Sequence, residues 1–271
     1  MQRLALLVLS LAGCSLYFGP SHSGSGSGGQ GSAPPGDLYN LVVDHATSTE
    51  GEIFGVDADQ QGGLWIAYTT QGNLANNVKP VVTLVHWDPT TRQRLQTFTY
   101  DDLWSPVCGL AIVHGQIWLN YENVVLNDQV IRVLDATSGA IVNTFGVTGI
   151  ELSAMGSDQA LISNRAVTVV DASSGGLLRS FQGPGELDPS SPMHVSFSDT
   201  QEGIAWRPGE IWAGSPFMPM QVYDDQSNAL LGTIDLPALR SEGSIPVGHL
   251  AFDRGLFLVG RGGALTWYRV E

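Results

Sequence analysis

The residues that could do chemistry are few and scattered. Of six histidines, His22 lies in a Gly/Ser run, and His45, His86, His114, His194 and His249 fall in five different stretches. No His-x-His, His-Glu-x-x-His or Cys-x-x-Cys spacing gathers them into a metal site. His86 and His249 sit within apolar alternating runs, where a hydrogen-bonded structural histidine is the expectation. No Gly-x-Ser-x-Gly elbow is present, so a serine hydrolase has nothing to start from. Two pairs of acids, Asp101 with Asp102 and Glu186 with Asp188, have the oxygen chemistry that Ca²⁺ takes, and they are weak candidates for it. No cofactor is expected. Cys108 follows Val107 and opens an apolar run with nothing cationic beside it, which predicts a buried, inert sulfur.

The other cysteine, Cys14, closes residues 1–14, which combine Arg3, an apolar run from Leu4 to Leu9 and the tetrad Leu11-Ala12-Gly13-Cys14. That run is shorter than the roughly 20 residues a membrane-spanning helix needs. The segment resembles the lipobox leader of bacterial lipoproteins. The resemblance implies cleavage after residue 13 and thioether-linked diacylglycerol on Cys14, usually with a third chain on its amine. Two or more chains anchor stably where one does not. Ser15, rather than an aspartate, after the cysteine implies the outer membrane of a bacterial envelope. An acylated Cys14 would leave Cys108 as the one thiol and no intrachain disulfide. Residues 19–36 are almost wholly Gly, Ser and Pro, and lack the apolar surface that would offset the entropy of ordering. As a flexible coil this tether reaches roughly 20–25 Å.

With one lysine, eleven arginines and a formal net charge of −14, the 271-residue chain repels phosphate backbones, so nucleic acid is not an expected partner. Removing Arg3 with the leader takes −14 to −15.

The elements that must position any site repeat along the chain. Val130 to Phe145 reads as an alternating strand, an Asp-Ala-Thr-Ser-Gly turn and a second strand ending on an aromatic. The pattern recurs at residues 83–98, 166–181 and 219–234. In these copies Asp88, Asp135, Asp171 and Asp224 stand ten residues before Phe98, Phe145, Phe181 and Ile234. The aspartates read as Asx-turn formers that bond their own backbone. An inner pair of strands precedes each copy, such as Leu110–Val113 with Ile117–Tyr121. Four short antiparallel strands recurring about every 45 residues predict blades of a β-propeller. A fifth unit ends at Glu271 without its fourth strand, and Leu38 to Leu41 repeats the spacing that ends a unit. The expected fold is therefore all-β: one five-bladed propeller over residues 37–271, its ring closed by the N-terminal strand. The Asp, Thr/Ser-Gly and Phe pattern resembles the bacterial YVTN-type and quinoprotein-like propellers, whose shared motifs are structural. Only Trp87-Asp88 matches the WD repeat.

In such a blade the first and third connections emerge on one face and the second and fourth on the other. Nearly all the long connections, including residues 69–80, 99–107, 182–203 and 237–248, fall in the second set, and long loops on a rigid scaffold are where binding resides. On that face Trp104, Met193, His194, Phe217 and Met218 are the candidate contacts, an adaptable, largely apolar set suited to peptide or hydrophobic ligands or, equally, to capping the channel. The leading expectation is a lipid-anchored binding or scaffold module for an envelope protein, peptide or glycan. The alternative is an enzyme using the central channel, of the glycosidase or metal-dependent cyclase kind that five-bladed propellers also host.

Overall fold

A computed structural model describes residues 38–59, 61–70, 79–103, 107–123, 128–146, 151–163, 166–182, 203–215, 218–234 and 248–271. These residues form twenty strands in five four-stranded antiparallel sheets. The first blade is β2 (Ile53–Ala58), β3 (Leu64–Thr69), β4 (Val82–Asp88) and β5 (Gln93–Tyr100). The second is β6 (Val107–Val113), β7 (Gln116–Asn123), β8 (Asp128–Asp135) and β9 (Ile141–Gly146). Blade three comprises β10 (Glu151–Met155), β11 (Gln159–Ser163), β12 (Ala166–Asp171) and β13 (Leu177–Gln182). Blade four comprises β14 (Gly203–Arg207), β15 (Glu210–Ser215), β16 (Met218–Asp224) and β17 (Leu230–Ile234). Blade five joins β18 (His249–Asp253), β19 (Leu256–Arg261) and β20 (Ala264–Val270) to the N-terminal β1 (Leu41–Ser48).

The ring is thus a five-bladed propeller closed by its first strand. The closing strand lies later than the spacing predicts. Leu41 pairs with Val270 and Ser48 with Ala264, while Leu38 to Asn40 form a bridge. Leu38 N donates to Thr233 O on β17 (2.7 Å), and Asn40 exchanges backbone hydrogen bonds with Glu271 (both 2.9 Å).

The sequence repeat has a packing cause. Each turn aspartate accepts backbone N–H groups two and three residues on, as at Asp171 from Ser173 (3.1 Å) and Ser174 (2.9 Å), and adds a hydroxyl. These bonds to the ionised form hold the Asp88, Asp135, Asp171 and Asp224 carboxyls below the usual range. Four residues after the aspartate the chain turns left-handed at Arg92, Gly139, Gly175 and Asn228. Gly139 then lies against Phe98 of the preceding blade, and Gly175 against Phe145. Phe98 and Phe145, ten residues after Asp88 and Asp135, are therefore the seats for the next blade's turn.

Gly139→Ala tests this. A Cβ there would sit 2.6 Å from the Phe98 ring, at φ +72°. That ring is stacked 5.8 Å from Trp65, so it has little room to move. The left-handed backbone costs about 1–2 kcal/mol and the overlap more, for an expected total of about 3 kcal/mol. Gly156→Ala, with φ +67° and nothing within 4 Å, should show only the backbone cost when both variants are unfolded in urea.

Between blades, apolar side chains fill five clusters, one per interface, with Trp118, Trp212, Trp267 and Phe257 fully buried. Cys108 is buried in β6 as expected, but it is disulfide-bonded, which overturns the expectation of a lone thiol. The sequence holds one other cysteine, Cys14, which lies outside the described residues.

Candidate functional site at the mouth of the channel

The five innermost strands, β2, β6, β10, β14 and β18, pack in ring order around the axis. Their register aligns the sequences Gly55-Val56-Asp57, Gly109-Leu110-Ala111, Glu151-Leu152-Ser153, Gly203-Ile204-Ala205 and His249-Leu250-Ala251. The second strand offers Ala67, Asn120, Ser163, Gly214 and Gly260 opposite the first residue of each triplet. Three blades therefore carry glycine at this level, and the other two carry an acid and an imidazole.

Glycine there has a steric reason. A Cβ on Gly55 would meet Leu110 Cβ of the next blade at 2.7 Å, and one on Gly203 would meet Leu250 Cγ at 2.7 Å. Glu151 and His249 break that rule together. Blade four stands between them and presents only Gly203 at this level. The two side chains meet directly, His249 Nδ1 to Glu151 Oε1 at 2.7 Å, so the pair bridges two non-adjacent blades. Both are largely shielded, at 16% and 7% side-chain exposure. Burial pushes the Glu151 carboxyl up, and the charge and hydrogen bond of His249 oppose the shift. A carboxyl and an imidazole held this way can pass a proton between them, or offer a donor and an acceptor to a ligand.

Their place relative to the loops matters. Inner strands run from the long-loop face to the short-turn face, and Glu151 and His249 are first in their strands. The pair therefore lies on the loop-rich side of the innermost ring. Among the described residues at the other end, Asp253, Arg207 and Glu210 are engaged locally. Asp253 binds Arg254 (2.9 and 3.0 Å) and the Trp267 indole (2.8 Å). Arg207 pairs with Glu210 and lies over the Tyr39, Trp212 and Phe252 rings, while the Tyr39 hydroxyl donates to Glu210. These contacts tie the start of β1 to blade four.

Asp57, toward the same end, links two blades. It stands where Ala111, Ala205 and Ala251 stand in other blades, accepting hydrogen bonds from Ala58 N (2.9 Å) and from Ile112 N of blade two (2.7 Å). Burial pushes its carboxyl up to about 7 despite both hydrogen bonds, and Asp59 adds to the rise.

The sequence-predicted residues fare unevenly. Trp104, Met193, His194 and Phe217 lie outside the described residues, as do Glu186, Asp188 and Cys14. Met218 opens β16 opposite Ser215. Asp101 is exposed, and Asp102 is taken by Arg132 (3.0 Å). Among the described residues no three His, Cys, Asp or Glu side chains come together as a metal site. His86 is structural as expected, held by Asp59 (2.6 Å) and stacked 4.6 Å from Trp65. His249 is the histidine whose role the local sequence hides. Aligning the inner strands by their Gly-apolar-Ala triplet would have exposed both it and Glu151.

No family model matches the chain, and no curated protein matches it. Among solved structures, the Myxococcus xanthus glutaminyl cyclase is similar in fold, with TM-score 0.61 and 12% identity over 86% of this chain and 97% of that one. A chain of a mitotic checkpoint complex aligns over 93% of this chain and 99% of its own, at 10% identity and TM-score 0.49. The first likeness is one of fold, and nothing rests on the second.

Proposed function

We propose that this propeller is a lipid-anchored module of the bacterial envelope that binds its ligand, a peptide, protein segment or glycan, at the loop-side mouth of the channel. One observation carries the reading. A carboxyl and an imidazole replace glycine in the innermost ring, and they do so on the face that bears the long connections. The path of β1 supports it, because the tether joins at the opposite, short-turn end, where Leu41 pairs with Val270. An anchor at Cys14 would then leave the mouth facing away from the lipid. The Cys14 sulfur cannot carry a thioether and a disulfide in one molecule; acylation of the leader-bearing chain leaves Cys108 as a thiol.

A panel of peptides and oligosaccharides screened by thermal shift against the chain from Leu38 onward tests the binding site. A true ligand raises the midpoint of the parent and not that of Glu151→Gly/His249→Gly. Ligands that stabilise both alike would place binding elsewhere.

A second reading rests on the same pair. A carboxyl raised by burial beside an imidazole is an acid–base couple, and the neighbouring fold belongs to a glutaminyl cyclase. If the chain turns over a substrate, Glu151→Gln removes the proton transfer while keeping the shape. Loss of turnover with binding retained would select the enzyme.

A further inference from the structure

Among the described residues, six of the exposed large apolar side chains share one arrangement. Ile141 and Val142, Leu177 and Leu178, and Leu230 and Leu231 form adjacent pairs at the start of the outermost strands of blades two, three and four, with exposures of 39–68%. Each pair lies at a shift in register. Ile141 opposes Leu134, but Asn143 opposes Val133, which leaves Val142 as the extra residue of a bulge. Leu178 and Leu231 are the extra residues at the matching shifts. Bulges turn both members of each pair outward. In blades five and one the same positions hold Val43-Asp44 and Arg94-Leu95, so charge interrupts the band there. What remains is a crescent over three consecutive blades, along the edge nearest the short turns.

Scattered exposed leucines need no explanation, but the same outward pair repeated on three consecutive blades does. Its position relative to residues 1–37 indicates what covers it. The chain joins the fold at Leu38, which is bonded to Thr233 of β17 and lies over Gly232, beside Leu230 and Leu231. A tether of roughly 20–25 Å is comparable to the domain's radius of gyration, about 17 Å. A lipid on Cys14 would therefore keep this edge nearest the bilayer.

We infer that the crescent is a membrane-contact surface, on which the anchored propeller leans its second to fourth blades against a zwitterionic lipid surface. The inference rests on the anchored reading above. Zwitterionic lipid is specified because Asp135, Asp171 and Asp224 sit in the turns just before the three pairs, and the chain's net charge is −14. Anionic headgroups would repel that edge.

The test uses full-length protein, purified from bacterial envelopes and reconstituted in phosphatidylcholine–phosphatidylethanolamine vesicles. An environment-sensitive fluorophore is placed at Leu178→Cys or, as control, at Thr99→Cys on the loop-side end of β5. Vesicle binding should protect the label at 178 from aqueous iodide several-fold and leave the label at 99 as accessible as before. Adding phosphatidylglycerol should reduce the protection. Flotation and the mass of the N-terminal peptide are read first. A chain that neither floats nor carries lipid overturns the anchored reading and this inference with it. A chain that floats but leaves the label at 178 open to iodide overturns the membrane contact alone.

Discussion

Glu151→Ala or His249→Ala is expected to destabilise the propeller by about 3–5 kcal/mol, because each leaves its partner's charge buried without compensation. The double variant Glu151→Gly/His249→Gly should cost much less than the sum of the singles. It removes both charges and installs the residue that Gly55, Gly109 and Gly203 already provide at that level. A coupling of about 2–3 kcal/mol in a double-mutant cycle is the expected signature of a direct contact. Urea unfolding of the three variants gives these values. Two singles that each cost less than about 1 kcal/mol and add without coupling would mean that the pair is solvated and that the mouth is open rather than bridged.

Asp57 carries the next largest expected effect, and it is one of pH. Below about pH 4 its carboxyl is neutral in folded and unfolded chains alike. From there to about 7 the unfolded chain gives up the proton while the folded chain keeps it, so stability falls as pH rises. Above about 7 the loss is complete. With the folded value at about 7 against 3.8 unfolded, it amounts to about 4 kcal/mol. Asp57→Ala supplies the residue found in blades two, four and five, and should abolish this component. Its separate cost, the lost acceptor for Ile112 N–H, is about 1–3 kcal/mol and independent of pH. Denaturation of parent and variant at pH 4 and pH 8 separates the two effects. Equal pH dependence in both would show that Asp57 ionises freely in the fold. Glu151, also raised by burial, contributes with the same sign in both proteins and cancels in the comparison.

Much of the fold was legible because blade chemistry is local. The aspartate turns and their following aromatics are spaced by hydrogen bonds and ring contacts within and between neighbouring hairpins, so they recur in register along the chain. The closing strand was legible as a need, since blade five lacked its fourth member, but not in position. Leu38 to Leu41 imitates the end of a unit, yet Tyr39 serves the Arg207–Glu210 cluster, and the pairing with β20 and its following residue runs from Asn40 onward to Ser48.

The site was far less legible. Glu151 stands at the front of an apolar strand, where a polar residue reads as loop, and His249 reads as an ordinary strand histidine. Their meaning is non-local: 98 positions apart in sequence, they meet only because the ring brings blade three to blade five across one glycine. The disulfide at Cys108 was missed because the lipobox had already assigned the chain's other sulfur.

The most direct test of the account is calorimetric titration of a ligand found by the thermal-shift panel into three proteins. These are the parent, Glu151→Gly/His249→Gly and Tyr39→Phe, the last altering only the short-turn end. The account predicts binding to the parent and to Tyr39→Phe with matching affinity, and a loss of at least tenfold, about 1.4 kcal/mol, in the double-glycine variant. Undiminished binding to that variant would contradict the claim that the function of this propeller is centred on the loop-side mouth of its channel.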